Sequence, residues 1–298
     1  MSTFSLNTMI WKQPASTDKR LDGIQSDSLS AGANNLVLGS DGNPYNTLLA
    51  LMSQAPGLSV ETVHVHDWLN FLGVSGKAIS LTGSAESIEA YWSENATDST
   101  RAATGLKATI NAGVMVPRTL SLAQDQHATL AMELIMRSTD GSNAPFAVAA
   151  DQTLPSADAI DEWYTLGPVT VGGTAVGNVQ SASIDFGIQL TPIMGDGSLY
   201  PKELYKPVIA PTVSFTTLVA DKATAFGIGG TNAVVVINML KGAAGGRAGS
   251  GDRTITTTAS RVVWEEIGVT HGGHAMLRCT APCASDDGSN HPLTYAAA

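Results

Sequence analysis

Residues 180–190 alternate strictly between two chemically different sets of side chains, and this alternation constrains the fold more than any other feature of the chain. Successive side chains of a β-strand point to opposite faces of a sheet, whereas a helix repeats every 3.6 residues. The segment therefore predicts a strand with one face against a core and the other in water. One face takes Gln180, Ala182, Ile184, Phe186, Ile188 and Leu190, and the opposite face takes Val179, Ser181, Ser183, Asp185, Gly187 and Gln189.

Most of the remaining chain also predicts strands. Residues 169–190 as a whole predict a β-hairpin, and Gly272-Gly273 predicts the turn of a last hairpin. Residues 156–164 predict one short helix, because Ser, Asp and Glu cluster near its start. The sequence shows no internal repeat at a fixed period. Further strands are predicted at residues 60–66, 78–82, 106–116, 128–137, 212–219, 233–240 and 254–264.

The fold class that follows is mainly β: a sandwich or barrel-type subunit with a short helix and long loops. Residues 1–57 are rich in Ser, Asn, Gly and Asp, and we predict an irregular N-terminal arm there. Residues 58–283 are predicted to form the β-rich domain. Residues 284–298 are predicted to be a loose C-terminal tail.

The composition argues against a nucleic-acid binder. Charged residues make up 14% of the chain, the formal net charge is -10, and no basic tail is present. Tight phosphate binding needs clustered Lys and Arg, so an acidic chain of this kind offers DNA few contacts. Two cysteines supply no disulfide framework, and the N-terminus lacks the blocks of a signal peptide, which predicts synthesis in a reducing cytoplasm. We expect no membrane contact.

Three groups of residues raise the question of catalysis. The Gly-rich residues 242–251 follow an apolar strand but lack the Lys-Ser/Thr step of a phosphate-binding loop. His64 and His66 beside Asp67 have a spacing found in metal-dependent hydrolases, and also in half-exposed strands.

The third group, His271, His274, Cys279 and Cys283, has the donors of a zinc site but matches no common finger or ribbon. Turn histidines with two free thiols explain the same pattern. We therefore predict no enzyme, no catalytic residue, no metal and no cofactor, and keep a metal-dependent hydrolase as an alternative.

Several short motifs occur in a characteristic order between residues 105 and 220. They are Pro117 followed by Thr119-Leu120-Ser121, Ala131-Met132-Glu133-Leu134, Leu166-Gly167-Pro168-Val169, Ile184-Asp185-Phe186-Gly187, and Asp196-Gly197 with Tyr200-Pro201. In this layout the chain resembles the tail tube, or major tail, proteins of long-tailed bacteriophages. The resemblance covers a little over a third of the chain.

The resemblance implies a structural virion protein. Such proteins form rings, typically hexameric, in which every subunit adds strands to a shared ring-shaped barrel, and the rings stack into a hollow tube for DNA ejection. The implied partners are further copies of the chain, the tail terminator, tape measure and baseplate proteins, and DNA that passes without sequence-specific binding. The implied location is the virion tail, after synthesis in the host cytoplasm. The nearest alternative is a capsid decoration protein or another β-rich virion protein.

Under this reading the two faces of residues 180–190 have different tasks. We expect Ser181, Ser183, Asp185 and Gln189 to face the lumen. We expect Ile184, Phe186 and Ile188 to pack between subunits. For contacts between rings, the arm before Ser59 is the first candidate, and the Gly-rich loop at residues 242–251 is the second.

Overall fold

A computed structural model describes residues 3–39, 46–81, 85–95, 101–156, 162–195, 197–219, 222–227, 229–243, 246–269 and 275–298. In these residues the fold is mainly β with two helices, as the alternating sequence predicts. The strands form a ten-stranded sheet, a six-stranded sheet, a five-stranded sheet and two small hairpin sheets. Buried side chains of the three large sheets belong to one hydrophobic core.

The described elements fall into two consecutive sets, an N-terminal half and a C-terminal half. The N-terminal half contains β1 (Thr3–Lys12), β2 (Lys19–Leu21), β3 (Ile24–Ser30), β4 (Ala33–Gly39), β5 (Asn46–Gln54), β6 (Gly57–Thr62), α1 (Val65–Leu72), β7 (Lys77–Ala78), β8 (Ser87–Asn95), β9 (Arg101–Ile110), β10 (Gly113–Ala123), β11 (Thr129–Met136) and β12 (Phe146–Thr153). The C-terminal half contains β13 (Trp163–Val171), β14 (Thr174–Ala175), β15 (Val179–Asp185), β16 (Thr191–Ile193), β17 (Glu203–Tyr205), β18 (Thr212–Thr217), α2 (Lys222–Phe226), β19 (Thr231–Asn232), β20 (Val235–Ala243), β21 (Gly246–Arg247), β22 (Arg253–Thr257), β23 (Ala259–Val269), β24 (Ala275–Ala284) and β25 (Leu293–Ala297).

The two halves repeat one fold. The pairings β2-β1-β8-β9-β12 of the first half recur as β14-β13-β20-β22-β25 in the second. The pairings β3-β6-β11-β10 recur as β15-β18-β24-β23. The hairpin β4-β5 corresponds to β16-β17, helix α1 to α2, and the short strand β7 to β19. Among the described elements, only the two-residue strand β21 has no counterpart.

Irregular features recur at matching places, which argues for a true duplication. The β3-β6 register shifts between Ile24 and Ser26, and the β15-β18 register shifts at the counterpart step from Val179 to Ser181. The shift at Pro117/Thr119 in β10-β11 likewise recurs at Trp264/Glu266 in β23-β24. Since such shifts are costly and specific, their recurrence is not expected of two unrelated sheets.

Two glycines show the same correspondence. Gly76 and Gly230 both have a φ of 76°, which favours glycine. A Cβ at Gly76 would lie 2.5 Å from the Met115 carbonyl oxygen, and one at Gly230 would lie 2.8 Å from that of Val262, the counterpart of Met115. The two halves are therefore an internal structural repeat, which the sequence does not show as a fixed period.

The ten-stranded sheet joins the halves. Its order is β19-β23-β24-β18-β15-β10-β11-β6-β3, with β7 beside β10. The joint between the halves is the antiparallel pair β10-β15, in which Leu120 lies opposite Ile184 and Ser121 opposite Ser183. The predicted strands at 128–137, 212–219 and 233–240 are confirmed as β11, β18 and β20, and β20 is central in its sheet.

Other predicted elements are corrected. Residues 106–116 form two strands, β9 and β10, because the chain turns at Asn111 and Ala112. The alternation changes phase after this turn, since Met115 is fully buried and Val114 only partly buried. The strand predicted at 60–66 ends at Thr62, and helix α1 begins at Val65. The strand predicted at 78–82 is paired, within its described residues, only at Lys77–Ala78. Residues 254–264 likewise divide between β22 and β23, which belong to different sheets.

The predicted hairpin at 169–190 is half correct. The chain turns at Gly172 and Gly173, both with positive φ, but the partner of β13 there is β14, while β15 belongs to the ten-stranded sheet. Most of the helix predicted at 156–164 lies outside the described residues, and Trp163 and Tyr164 are in β13. The turn at Gly272-Gly273 also lies outside them, although β23 and β24 pair as predicted.

Both chain ends are ordered into the sheets, contrary to the prediction of an irregular arm and a loose tail. Residues 1–57 supply β1 to β5, and Met9, Trp11 and Leu21 of this region are fully buried. At the other end β25 pairs with β22, and Leu293 is buried in the core. These segments are therefore part of the fold and not appendages to it.

Candidate functional surface

One face of the ten-stranded sheet is lined with small hydroxyl side chains. Across four adjacent strands, Ser121 lies opposite Ser183, Ser183 opposite Ser214, and Ser214 opposite Thr280. We call this surface the hydroxyl face. It consists of Thr119, Ser121, Thr129, Ser181, Ser183, Thr212, Ser214, Thr216 and Thr280.

The opposite face of the same strands is apolar and packed. Leu120, Ile184, Val213 and Phe215 are at most 1% exposed. Because side chains alternate along each strand, burying these residues places the intervening Ser and Thr side chains on the outer side. The short hydroxyl side chains leave a depression of about 660 Å³ above β10, β15, β18 and β24.

Two arginines at the border of the hydroxyl face each lie beside a carboxylate. The Arg118 guanidinium donates hydrogen bonds to the Glu133 carboxylate and to the Ile188 carbonyl oxygen. Arg278 lies 3.4 Å from the Glu265 carboxylate, and both side chains are exposed. With carboxylates beside these two arginines, the face has little capacity to hold a polyanion.

Three of the four predicted lumen residues come together on this face. Ser181 and Ser183 are half-buried on β15, and Asp185 is exposed at its end, where its carboxylate accepts a hydrogen bond of 2.8 Å from the Gly187 amide. Gln189 is exposed but follows β15 in a segment outside the sheet.

The residues expected between subunits lie elsewhere. Ile184 and Phe186 are 0% exposed, Ile188 is 1% exposed, and all three belong to the core of the single chain. They pack within the subunit, so their side chains are not accessible to a neighbouring copy. An alternating pattern identifies a buried face but does not say whether the same chain or another one covers it.

Both cysteines are side chains of β24, where Cys279 is buried and Cys283 is partly buried. Desolvation raises the pKa of the Cys279 thiol to about 12 and that of Cys283 to about 11, which keeps both protonated near neutral pH. His271 and His274 lie outside the described residues. Within the part of the chain that the structure describes, no three His, Cys, Asp or Glu side chains converge in a way that would hold a metal ion.

His64 and His66 do not share a strand face. His64 is buried at the start of α1, and His66 is in the first turn of that helix. The His66 ring lies 2.8 Å from the Tyr295 hydroxyl and 2.9 Å from an Arg253 guanidinium nitrogen. Desolvation, followed by the positive charge of Arg253, lowers the pKa of His66. This contact joins a helix of the first half to β22 and β25 of the second, a structural task.

Sequence reasoning missed the duplication, although one signal of it is present. The loops at residues 138–146 (STDGSNAPF) and 285–293 (SDDGSNHPL) share Ser, Asp, Gly, Ser, Asn and Pro at the same positions. In both, an Asp carboxylate accepts hydrogen bonds from two following amides: Asp140 from Ser142 and Asn143, and Asp287 from Ser289 and Asn290. These bonds hold the pKa of each carboxyl well below its ordinary value.

Comparison with known proteins adds no identification. No protein-family model matches the chain, and no curated protein matches it. Within the described residues, no helix is both long and apolar enough to cross a bilayer. The hydroxyl face and the duplicated fold are therefore the observations from which a function has to be argued.

Proposed function

We propose that this chain is a structural subunit of a hollow virion tube of the tail tube type, and that its hydroxyl face lines the conduit for DNA. The observation that carries the proposal is a broad sheet with one face packed in the core and the other left to water. A wall of a water-filled tube requires both properties in the same strands. The motif layout between residues 105 and 220 supports the same class.

The chemistry of the hydroxyl face suits a conduit. A polyanion that must slide past a wall should meet neither clustered cations, which would bind its phosphates, nor apolar side chains, which would leave the wall unwetted. Short Ser and Thr hydroxyls hydrogen-bond water and carry no charge. Asp185 adds negative charge at the edge of this surface. DNA is therefore expected to pass without lasting contacts.

The hairpin β4-β5 is the proposed contact between stacked rings. Its residues 33–39 and 46–54 carry no charge, and Val37, Leu49, Leu51 and Met52 are exposed, Leu49 by 75%. A two-stranded hairpin with such a surface is marginally stable in water on its own, so an axial neighbour would stabilise it. The hairpin lies inside the segment before Ser59 that the sequence marks for this role. The second predicted segment, 242–251, contributes the short pair β20-β21.

Negative-stain electron microscopy of the purified full chain tests the proposal. Hollow tubes or stackable rings are expected at high protein concentration. A chain that stays monomeric at every concentration would contradict it, and a chain that binds to capsids without self-assembly would support the decoration alternative instead.

A further inference from the structure

The two strands that join the halves have counterparts at the ends of the ten-stranded sheet. The counterpart of β15 is β3, which is the last strand at one end. The counterpart of β10 is β23, which lies at the other end beside the two-residue strand β19. Strand β19 pairs only with Arg261 and Val262, just as β7 pairs only with Val114 and Met115 of β10. The part of β23 that corresponds to the β15-binding part of β10 has no strand beside it among the described residues.

The exposed apolar surface at these ends matches the buried surface of the internal joint. Leu120 and Ile184 face each other in the β10-β15 joint and are both 0% exposed. Ile267, the counterpart of Leu120, is 44% exposed, and Leu29, the counterpart of Ile184, is only partly buried. If β3 of a second copy lay beside β23 as β15 lies beside β10, the exposed parts of both side chains would be covered.

We infer that β23 of one copy pairs with β3 of the next copy, in the register that β10 and β15 show within the chain. Glu266 then lies opposite Ser30 of the next copy, Ile267 opposite Leu29, and Gly268 opposite Ser28. The partner at this surface is a second copy of the same chain, because the strand that the surface fits is present in the chain itself. Each joint repeats the internal one, so the hydroxyl face stays on one side of the continued sheet.

This joint is heterologous, and such a joint generates either a closed ring or an open helix. A closed ring leaves no free edge in the continued ten-stranded sheet. Each chain supplies two sheet units, so the hexameric arrangement implied by the family resemblance corresponds to three copies of this chain. The joint is argued from the two halves alone, whereas the count of three copies and the role in a DNA conduit rest on the proposed function.

A disulfide placed across the joint tests the register. In the full chain carrying Ser28→Cys and Gly268→Cys, mild oxidation should link neighbouring copies. A Cβ at Gly268 meets no atom within 4 Å, and Ser28 is exposed, so both thiols fit on the hydroxyl side. The native Cys279 and Cys283 thiols are present in every variant, and their raised pKa values make them poor competitors.

Two further cysteine pairs serve as the positive and the negative control of this experiment. Ser121→Cys with Ser183→Cys has the same geometry inside the chain, so it should form a disulfide that leaves the protein running as a single chain on a non-reducing gel. Ser28→Cys with Glu266→Cys is one pairing step out of register and should cross-link much less. The expected main product of the test pair is one limiting species of about three times 30.8 kDa by native mass spectrometry.

A substitution at the joint supplies a second readout. Ile267→Lys should abolish assembly and leave a folded monomer, because its side chain is half-exposed in the single chain. Val148→Lys, at an exposed position on the edge strand β12, should assemble as the unchanged protein does. Unchanged circular dichroism would show that both variants fold.

The possible outcomes distinguish an error in the β23-β3 joint from an error in the proposed tube function. Efficient cross-linking of the internal pair without any cross-link of the test pair, in protein that still assembles, overturns the inference and leaves the tube proposal standing. An unlimited ladder of cross-linked species overturns ring closure, and a limiting species of six chains overturns the count of three copies per ring. Cross-linked rings that never stack support the inference and contradict the proposed tube.

Discussion

Leu120 and Ile267 occupy counterpart positions in the two halves, and replacing each by alanine should have very different effects on the free energy of unfolding. Leu120 is fully buried between β11 and β15, where it lies opposite Leu130 and Ile184. Leu→Ala at such a site removes buried methylene groups and leaves a cavity that the surrounding sheet fills poorly. The expected cost is about 2–5 kcal/mol.

Ile267 is 44% exposed in the single chain, so a large part of its side chain is never removed from water when the monomer folds. Water occupies the space that Ile267→Ala leaves, and no sealed cavity forms. The expected cost is about 1 kcal/mol, estimated from the partial burial of one aliphatic side chain. The same substitution should raise the protein concentration needed for assembly, because the deleted atoms would lie against Leu29 of the next copy.

Urea unfolding, followed by circular dichroism at a concentration where the chain is monomeric, measures both values. Light scattering against concentration measures assembly. Equal destabilisation of the two monomeric variants would mean that Ile267 is packed as fully as Leu120 without a partner, which is the opposite of what we expect. Normal assembly of Ile267→Ala would also contradict it.

Three further changes probe the surface, the stacking contact and the pH dependence. Ser183→Lys with Asp185→Lys should slow or block DNA delivery by particles of normal appearance, because phosphates would bind the new ammonium groups; Thr174→Lys, at an exposed position off the hydroxyl face, should deliver DNA normally in the same infectivity assay. Replacing residues 34–53 by a two-glycine turn should leave rings that no longer stack in electron micrographs, and long tubes would show that the hairpin is dispensable. Burial lowers the pKa of His66 below its ordinary 6.5, so on acidification the unfolded chain takes up a proton before the folded chain does. The free energy of unfolding should therefore decrease as the pH is lowered from 6.5. His66→Gln should make this decrease smaller, as measured by urea unfolding at several pH values.

The sequence predicts β15 well because one side of it is packed and the other is wet along its whole length. It does not predict β1, since the register of β1 against β8 shifts between Leu6 and Thr8. Leu6 and Met9 therefore both reach the core although their spacing is odd, and this disrupts the period of two. Local alternation identifies a strand only where no bulge interrupts it.

The hydroxyl face and the duplication depend on long-range pairing. Ser121, Ser183 and Ser214 are far apart in the chain, and nothing in their local sequence says that β10, β15 and β18 are neighbours. The strands of the two halves have diverged, since any apolar side chain of suitable size fills a core position. The loops around Asp140 and Asp287 kept their sequence because each position makes a specific hydrogen bond or turn.

We infer that copies of this chain join through β23 and β3 into a closed wall with the hydroxyl face inside. An electron cryo-microscopy map of the assembly formed by the purified chain would show the joint and the face together. We expect a continuous sheet around the lumen, with Ser183 and its counterpart Ser28 both on the inner surface. A map with these serines on the outer surface, or with subunits that contact each other without β23-β3 pairing, would contradict it.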